Sequence, residues 1–380
     1  MRILHVDHSP VLGGAERSLL TLARSQVALG HDVVVAVGRP GPFQAAAAGA
    51  GIPTVDLGWP RRFVETTSGV SWLDSALTVP HLLLSAALLR RAIARRHPDV
   101  IHSHTRKAHL VSSLAAAGTG VPLIWHLRDY PPKPGPVRTA LRLAIHGAAH
   151  AVALATWLGD AYGRAGLLPR SGRIDRVTSS VDPDTIAGLP TPWLDGRRPP
   201  VVGYIGNVAR AKGPHLIVDV AESLADLADV RFVVVGDVWF PSSDRGYGDW
   251  LRRRIATSPV ANRIAWLPTR SPREAFEEVD VLIHPSIEPE PFGRVLVEAL
   301  LAHRPIVAFR HGGAAEILHD EVAELTPPGD IGALAAAVRR TLADPVRTRQ
   351  RTVAAAIVAA EFEPKRIAQA MDLAYGTVTA

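Results

Sequence analysis

The stretch HPSIEPEPFGRVLVEAL, residues 284–300, follows the β-branched run DVLI and opens into an apolar helical pattern. Strand, turn and helix in immediate succession make half of a βαβ unit. The alternation continues on both sides. Downstream come PIVAFR, GGAAEILHD, VAELTP and a helical pattern from Ile331; upstream come PVVGYIGN, HLIVDVAESLADL, VRFVVVGDV, WLRRRIATSP, RIAWLP and SPREAFEEV. Residues 184–199 contain GLPTPWLDGRRPP, rich in proline and glycine without a period, and read as a linker. A second series precedes it: RILHVDH, GAERSLLTLARSQVALG, HDVVVAVG, FQAAAAGAG, IPTVDLG, a long helix near residues 74–96, DVIHSH, HLVSSLAAAGTG and PLIWHLRD. The expectation is an α/β chain of two doubly wound Rossmann-like domains, residues 1–184 and 200–360, with a last helix, residues 361–380, crossing back onto the first. Ligand is expected where the C-terminal ends of the strands face each other across a cleft.

At 380 residues the chain exceeds what one hydrophobic core usually serves, in keeping with two domains. Its 47% hydrophobic and 21% charged residues are ordinary for a globular protein, and no run stays apolar long enough for a membrane span. The most apolar stretch, ALTVPHLLLSAALL, is interrupted by Pro80 and His81 and runs into RRAIARRH, so it reads as a core or interfacial helix with a basic solvent end. MRILHVD is a strand rather than a leader, which makes a cytoplasmic location the expectation. The lack of cysteine excludes disulfides, thiolate metal ligands and a cysteine nucleophile. Charge is uneven: residues 1–199 carry 22 Lys and Arg against 13 Asp and Glu, leaving 20 against 23 in the rest. A basic first half could attract anionic headgroups at the inner membrane face, a phosphorylated acceptor or nucleic acid, although a plain arginine-rich composition would look the same. Nucleic acid ranks last, because no aromatic recognition motif accompanies the basic excess.

Three carboxylates, Glu288, Glu290 and Glu298, surround the opening turn. With Glu290 in the turn and Glu298 on the helix, eight residues of rise put them about 12 Å apart. An acid/base pair across one glycosidic bond needs roughly 5 to 9.5 Å, so these two suit opposite ends of one elongated ligand. A nucleoside diphosphate sugar has that form, with sugar hydroxyls, a charged middle and a ribose diol that a carboxylate can grip by paired hydrogen bonds. Taken together and in order, GGAERSLLTLA, PDVIHSH, WHLRD, GNVARAKG, RIAWLPTRSPREAFEEVDVLIHPS, EPFGRVLVEAL and RPIVAFRHGGAAEIL resemble the family-4 glycosyltransferases, retaining enzymes of the two-domain GT-B fold with an E-x7-E signature.

The resemblance implies roles for named residues. Glu290 would face the donor sugar's hydroxyls beside the backbone amides of Phe292, Gly293, Arg294 and Val295 at a helix N-terminus. Glu298 would grip the ribose, Glu288 would be a rim residue, and Lys212 would contact the diphosphate. Where the family has an arginine after Gly206 this chain has Asn207, which leaves Arg210 as the candidate replacement. Gly13 and Gly14 would form the loop over diphosphate and acceptor, Glu16 would be a first-turn helix charge, and the main chain around Leu267 would receive the base. Glu316 would be structural or supporting. His126 would lie near the reaction centre and complete the catalytic set with Glu290 and Lys212.

On the acceptor side Asp129 would orient His126 or the acceptor, with Arg128 and His104 nearby. The loop-rich segment of Trp59, Arg61, Arg62, Phe63 and Trp72, and the basic RDYPPKPGPVRTALR, are further candidates for acceptor contact. His102 and His104 alternate along one strand, but without a third ligand at short spacing they read as structural, with one imidazole open to the acceptor side. No metal and no cofactor is expected. The implied activity is retaining hexosyl transfer from a UDP- or GDP-sugar to a hydroxyl of a glycan, lipid-linked or small-molecule acceptor. Its rivals are an epimerase or phosphorylase of the same fold, and a silent sugar-nucleotide-binding subunit suggested by Asn207.

Overall fold

The computed structural model describes residues 1–65, 78–190, 192, 196, 198–239 and 246–379. The chain forms two compact units, Met1–Ser180 with Pro364–Ala380, and Val181–Glu363.

The first unit alternates β1 (Arg2–Asp7), α1 (Gly14–Ala28), β2 (Asp32–Val37), α2 (Pro42–Gly49), β3 (Thr54–Asp56), α3 (Arg61–Glu65), α4 (Thr78–Arg96), β4 (Val100–Ser103), α5 (Arg106–Ala116), β5 (Leu123–Leu127), α6 (Pro136–Ile145), β6 (His150–Ala153), α7 (Thr156–Arg164) and β7 (Ile174–Arg176). All pairings are parallel, in the order β3-β2-β1-β4-β5-β6-β7. Unbroken apolar runs such as VVVAV, residues 33–37, arise because a parallel strand between helices is covered on both faces. Winding reverses between β1 and β4, which opens a crevice at their C-terminal ends.

The second unit alternates β8 (Val201–Ile205), α8 (Leu216–Ser223), β9 (Arg231–Val235), α9 (Tyr247–Ala256), β10 (Ile264–Leu267), α10 (Pro272–Glu277), β11 (Val281–His284), α11 (Arg294–Leu301), β12 (Ile306–Phe309), α12 (Gly312–Ile317), β13 (Glu324–Thr326), α13 (Ile331–Ala343) and α14 (Pro345–Ala359). Its parallel order is β10-β9-β8-β11-β12-β13, with the reversal between β8 and β11. The last helix, α15 (Pro364–Thr379), returns to the first unit. There Ile367, Ala368, Met371, Ala374 and Tyr375 share one core with Ile3, Leu19, Val35, Ile124 and Val152. Full burial of each aliphatic side chain contributes roughly 1.5–3 kcal/mol.

Three expectations need correction. The described part of residues 184–199 is not a loose linker: Arg273 donates to the carbonyls of Ala187 and Gly188, Arg304 Nη1 to Pro190 O at 3.0 Å, and Arg198 makes a two-pronged pair with the fully buried Asp280 at 2.6 and 2.7 Å. The boundary therefore falls at Ser180, and the segment belongs to the second unit. Pro80 does not interrupt the apolar stretch but sits in the first turn of α4, where its missing N–H has no intrahelical acceptor to lose. Leu89 and Ile93 of α4 are buried while Val79, Leu83 and Leu84 are exposed, and no described helix is long and apolar enough to cross a membrane. Trp59 and Phe63 are core residues, ring against ring at 6.0 Å, so of that candidate acceptor segment only Arg61 and Arg62 face solvent; Trp72 lies outside the described residues.

Candidate active site

Lys212 and Glu290 follow the adjacent strands β8 and β11, on either side of the second unit's reversal point. After β8 the chain makes a 3-10 turn, Arg210–Lys212, and leaves it through Gly213 at φ +68°. A Cβ on Gly213 would lie 2.2 Å from the Pro285 carbonyl oxygen, so only glycine lets this turn touch the one after β11. The amides of Ile287 and Glu288 donate to Ala211 O at 2.8 and 3.1 Å, which straps the two turns together.

Three side chains converge on one carboxylate oxygen as a result. Glu290 Oε1 lies 2.7 Å from Lys212 Nζ and accepts from Ser286 Oγ at 2.9 Å and His284 Nε2 at 3.2 Å. The acceptor-only carboxylate assigns the Nε2–H proton to His284. Burial works to raise the Glu290 pKa, but the Lys212 ammonium and the His284 hydrogen bond outweigh it and hold the carboxyl well below the usual carboxylate range. From the other side, Gly313 N donates to Glu290 O at 2.7 Å and His311 Nε2 to Ser286 O at 2.6 Å. A Cβ on Gly313 would fall 2.0 Å from Phe292 O, so the start of α12 packs directly on the turn.

Gly293 caps α11 with a left-handed backbone, φ +96°, and Phe292 is buried against Phe362. The first-turn amides of Arg294 and Val295 have no intrahelical acceptor. Glu298 is 7% exposed, and its Oε1 pairs with Arg294 Nε at 2.8 Å. Glu288 is exposed. Asn207 holds a neighbouring loop: its Oδ1 accepts from Trp239 N at 3.0 Å, a bond an arginine could not make. Arg210, in the same turn as Lys212, lies over the Tyr247 and Trp250 rings at 5.1 and 5.2 Å. The Leu267 carbonyl already accepts from Gly236 N at 3.0 Å.

In the first unit, Gly13 N donates to Glu16 Oε2 at 2.9 Å, which satisfies the N-cap amide at the start of α1. Glu16 is buried, and its pKa is pushed up to about 7, first by burial and then by the Asp7 carboxylate. Arg128 Nη1 donates to Ala15 O at 2.9 Å. Asp129 does not orient His126; it is exposed and pairs loosely with Arg106 at 3.8 Å. His126 is 1% exposed and stacks on His102 at 5.2 Å between ring centroids. His104 lies in the same cluster, 4.2 Å from the His102 ring, and so does His5 of β1, 5.0 Å from each. His5 is the imidazole that spacing in the sequence does not reveal, since strand pairing alone brings it opposite His102. Burial, before any neighbouring charge, lowers all four, His5 to about 4.

Known proteins share this fold. The family described as glycosyl transferases group 1 matches residues 193–358, and a glycosyl transferase 4-like domain matches residues 13–178. A 2-deoxystreptamine glucosyltransferase of Streptomyces kanamyceticus is 32% identical over 189 residues, 45% of this chain and 46% of that protein. A 2-deoxystreptamine N-acetyl-D-glucosaminyltransferase of Streptomyces fradiae is 29% identical over 396 residues, 91% of this chain and 86% of that protein. The crystal structure of Anabaena Alr3699/HepE in complex with UDP and glucose superposes with a TM-score of 0.80 at 26% identity, covering 99% of this chain and 100% of that one. With two parallel sheets of the GT-B type and a glycosyltransferase match over each unit, the chain belongs to the family-4 glycosyltransferases.

Proposed function

We propose that this glycosyltransferase moves a hexose-type sugar from a UDP- or GDP-sugar to an acceptor hydroxyl with retention of configuration. The observation that carries the reading is the Lys212–Glu290 pair at the β8–β11 reversal, a cation and an ionised carboxylate beside the N-terminus of α11. Such a pair offers one partner for anionic phosphate oxygens and one for hydroxyls. The same Anabaena protein has also been solved with UDP-glucose, which supports a donor of this class.

In this reading the diphosphate draws Lys212 away from Glu290, exchanging one anion for another, and Glu290 turns to the sugar hydroxyls. Glu298, oriented by Arg294, takes the ribose diol. The bond from the anomeric carbon to the phosphate oxygen breaks, a bond to the acceptor oxygen forms on the same face, and the acceptor proton passes to the departing phosphate. Lys212 stabilises the charge that grows there, so no separate strong base is needed. His126 is the catalytic candidate of the first unit.

Substitution separates these roles. Glu298→Ala is expected to weaken UDP or GDP binding by about 10- to 100-fold, the worth of a charge-assisted hydrogen-bonded pair. Glu290→Ala and His126→Ala are expected to lower turnover while nucleotide affinity stays within a few-fold. Calorimetric titration with nucleotide, alongside donor hydrolysis, reads both; unchanged affinity in Glu298→Ala would sink the ribose assignment. The neutral Asn207, tied to Trp239, keeps one rival in play, a silent subunit that binds donor. That rival predicts tight donor binding with no turnover for any acceptor or for water.

A further inference from the structure

We infer that His5, His102 and His104 form a buried binding site for a first-row divalent cation, Zn²⁺ by ligand chemistry. One ring nitrogen of each lies within 4.8 Å of the others. The placement follows from the sheet: His5 of β1 is the register partner of His102 of β4, and His104, two residues on, falls on the same face. All three are at most 1% exposed.

The hydrogen bonds around the cluster are arranged from outside. Gln26 of α1 accepts from His5 Nε2 at 2.7 Å and donates to Tyr375 OH of α15 at 3.0 Å, and that hydroxyl lies 2.7 Å from His102 Nδ1. An amide and a phenol thus hold the outer nitrogens of two imidazoles, which is how metal-ligating histidines are usually oriented. On the inner side His5 Nδ1 and His104 Nε2 face each other at 2.9 Å. His102 Nε2 and His104 Nδ1 have no hydrogen-bond partner among the described residues. A fully buried His102 Nε2 without a partner, beside that inner pair, calls for a bound species.

Three neutral imidazoles with no carboxylate among them suit zinc rather than magnesium or calcium. Zinc–nitrogen distances near 2.0–2.1 Å in a tetrahedral site set nitrogens about 3.3 Å apart, so the His5–His104 contact opens slightly and the His102 ring turns inward. His126, stacked on His102, is the neighbour of the fourth position. Arg128, whose charge acts on all four rings, opposes a dication, so affinity falls below that of three-imidazole centres without a neighbouring cation. A bound ion would tie β1 to β4 and, through Tyr375, α15 to both. An ordered water could satisfy the unpaired nitrogens too, and the experiment separates the two.

Full-length protein stripped with chelator is titrated with Co²⁺ and followed by visible absorption, then with Zn²⁺ as competitor, with thermal unfolding alongside. One equivalent of Co²⁺ should give a ligand-field band that Zn²⁺ displaces, and Zn²⁺ should raise the Tm. His102→Gln and His5→Gln, checked for folding by circular dichroism, should lose the band. Tyr375→Phe keeps its ring and removes the outer hydroxyl, and should bind 10- to 100-fold more weakly; it carries the comparison if a histidine variant fails to fold. No stoichiometric uptake by the folded wild type would mean that water alone fills the cluster, and overturns the inference. A band that survives in the folded histidine variants, or an affinity unchanged in Tyr375→Phe, would assign the metal to other histidines and overturns it equally.

Discussion

Glu16 is a helix-capping residue whose proton affinity is raised first by burial and then by Asp7 across a turn. Its carboxyl, moved from an ordinary 4.5 to about 7 by burial and then by Asp7, binds a proton more tightly folded than unfolded. Such a group contributes stability that is complete below pH 4.5 and is lost as pH rises through 7. Glu16→Gln keeps an acceptor for Gly13 N–H and removes the titration. Relative to wild type it should therefore gain stability between pH 5 and pH 8, on the order of 2 kcal/mol. Unfolding midpoints at pH 5, 6.5 and 8 check this, and parallel curves for the two proteins would rule it out. The sequence shows Glu16 as a first-turn helix charge, which it is, but Asp7 acts through the fold of the loop and leaves no spacing to read. Asn207 is similar: its departure from the family pattern is visible in the sequence, whereas its bond to Trp239, 32 residues away, is not.

At the scale of elements, the joint that shapes the site is where the turn after β11 meets the start of α12. Gly313 brings the two into direct contact, and a methyl group there would sit 2.0 Å from Phe292 O. Gly313→Ala should push α12 off the turn, costing about 1–3 kcal/mol as overpacking does, and shift Glu290 from Lys212. Donor turnover should fall by tenfold or more, while nucleotide binding through Glu298, on a different helix, changes less. Turnover and Tm both at wild-type values would show that the turn yields without consequence. The elements themselves are largely legible, because β-branched runs and 3.6-residue patterns alternate almost without a break. β6 escapes that reading: HAVA carries one β-branched residue, Val152, which joins the core that α15 completes. Trp59 misleads for the opposite reason, since proline and glycine around it resemble a surface loop while its ring is fully buried.

Across the whole molecule, two alternating series predict two units, and their number is legible from periodicity alone. The boundary is not, because three arginine contacts fasten residues 187, 188, 190 and 198 within the second unit across separations of up to 114 residues. The return of α15 is a long-range event of the same kind. Its apolar stripe shows that it must cover something, and the structure assigns it to the core begun by β1. That core is therefore incomplete until the last residues of the chain arrive. Met371 is fully buried in it, and Met371→Ala should cost the first unit about 2–5 kcal/mol through lost burial and the cavity left behind. Amide hydrogen exchange resolves where that cost falls. Protection should drop in β1, β2, β4 and β5, on which the α15 core rests, and stay at wild-type levels in β8 to β12. Equal losses in both sheets would mean that the two units unfold as one cooperative body, with α15 stabilising the chain as a whole rather than the unit it completes.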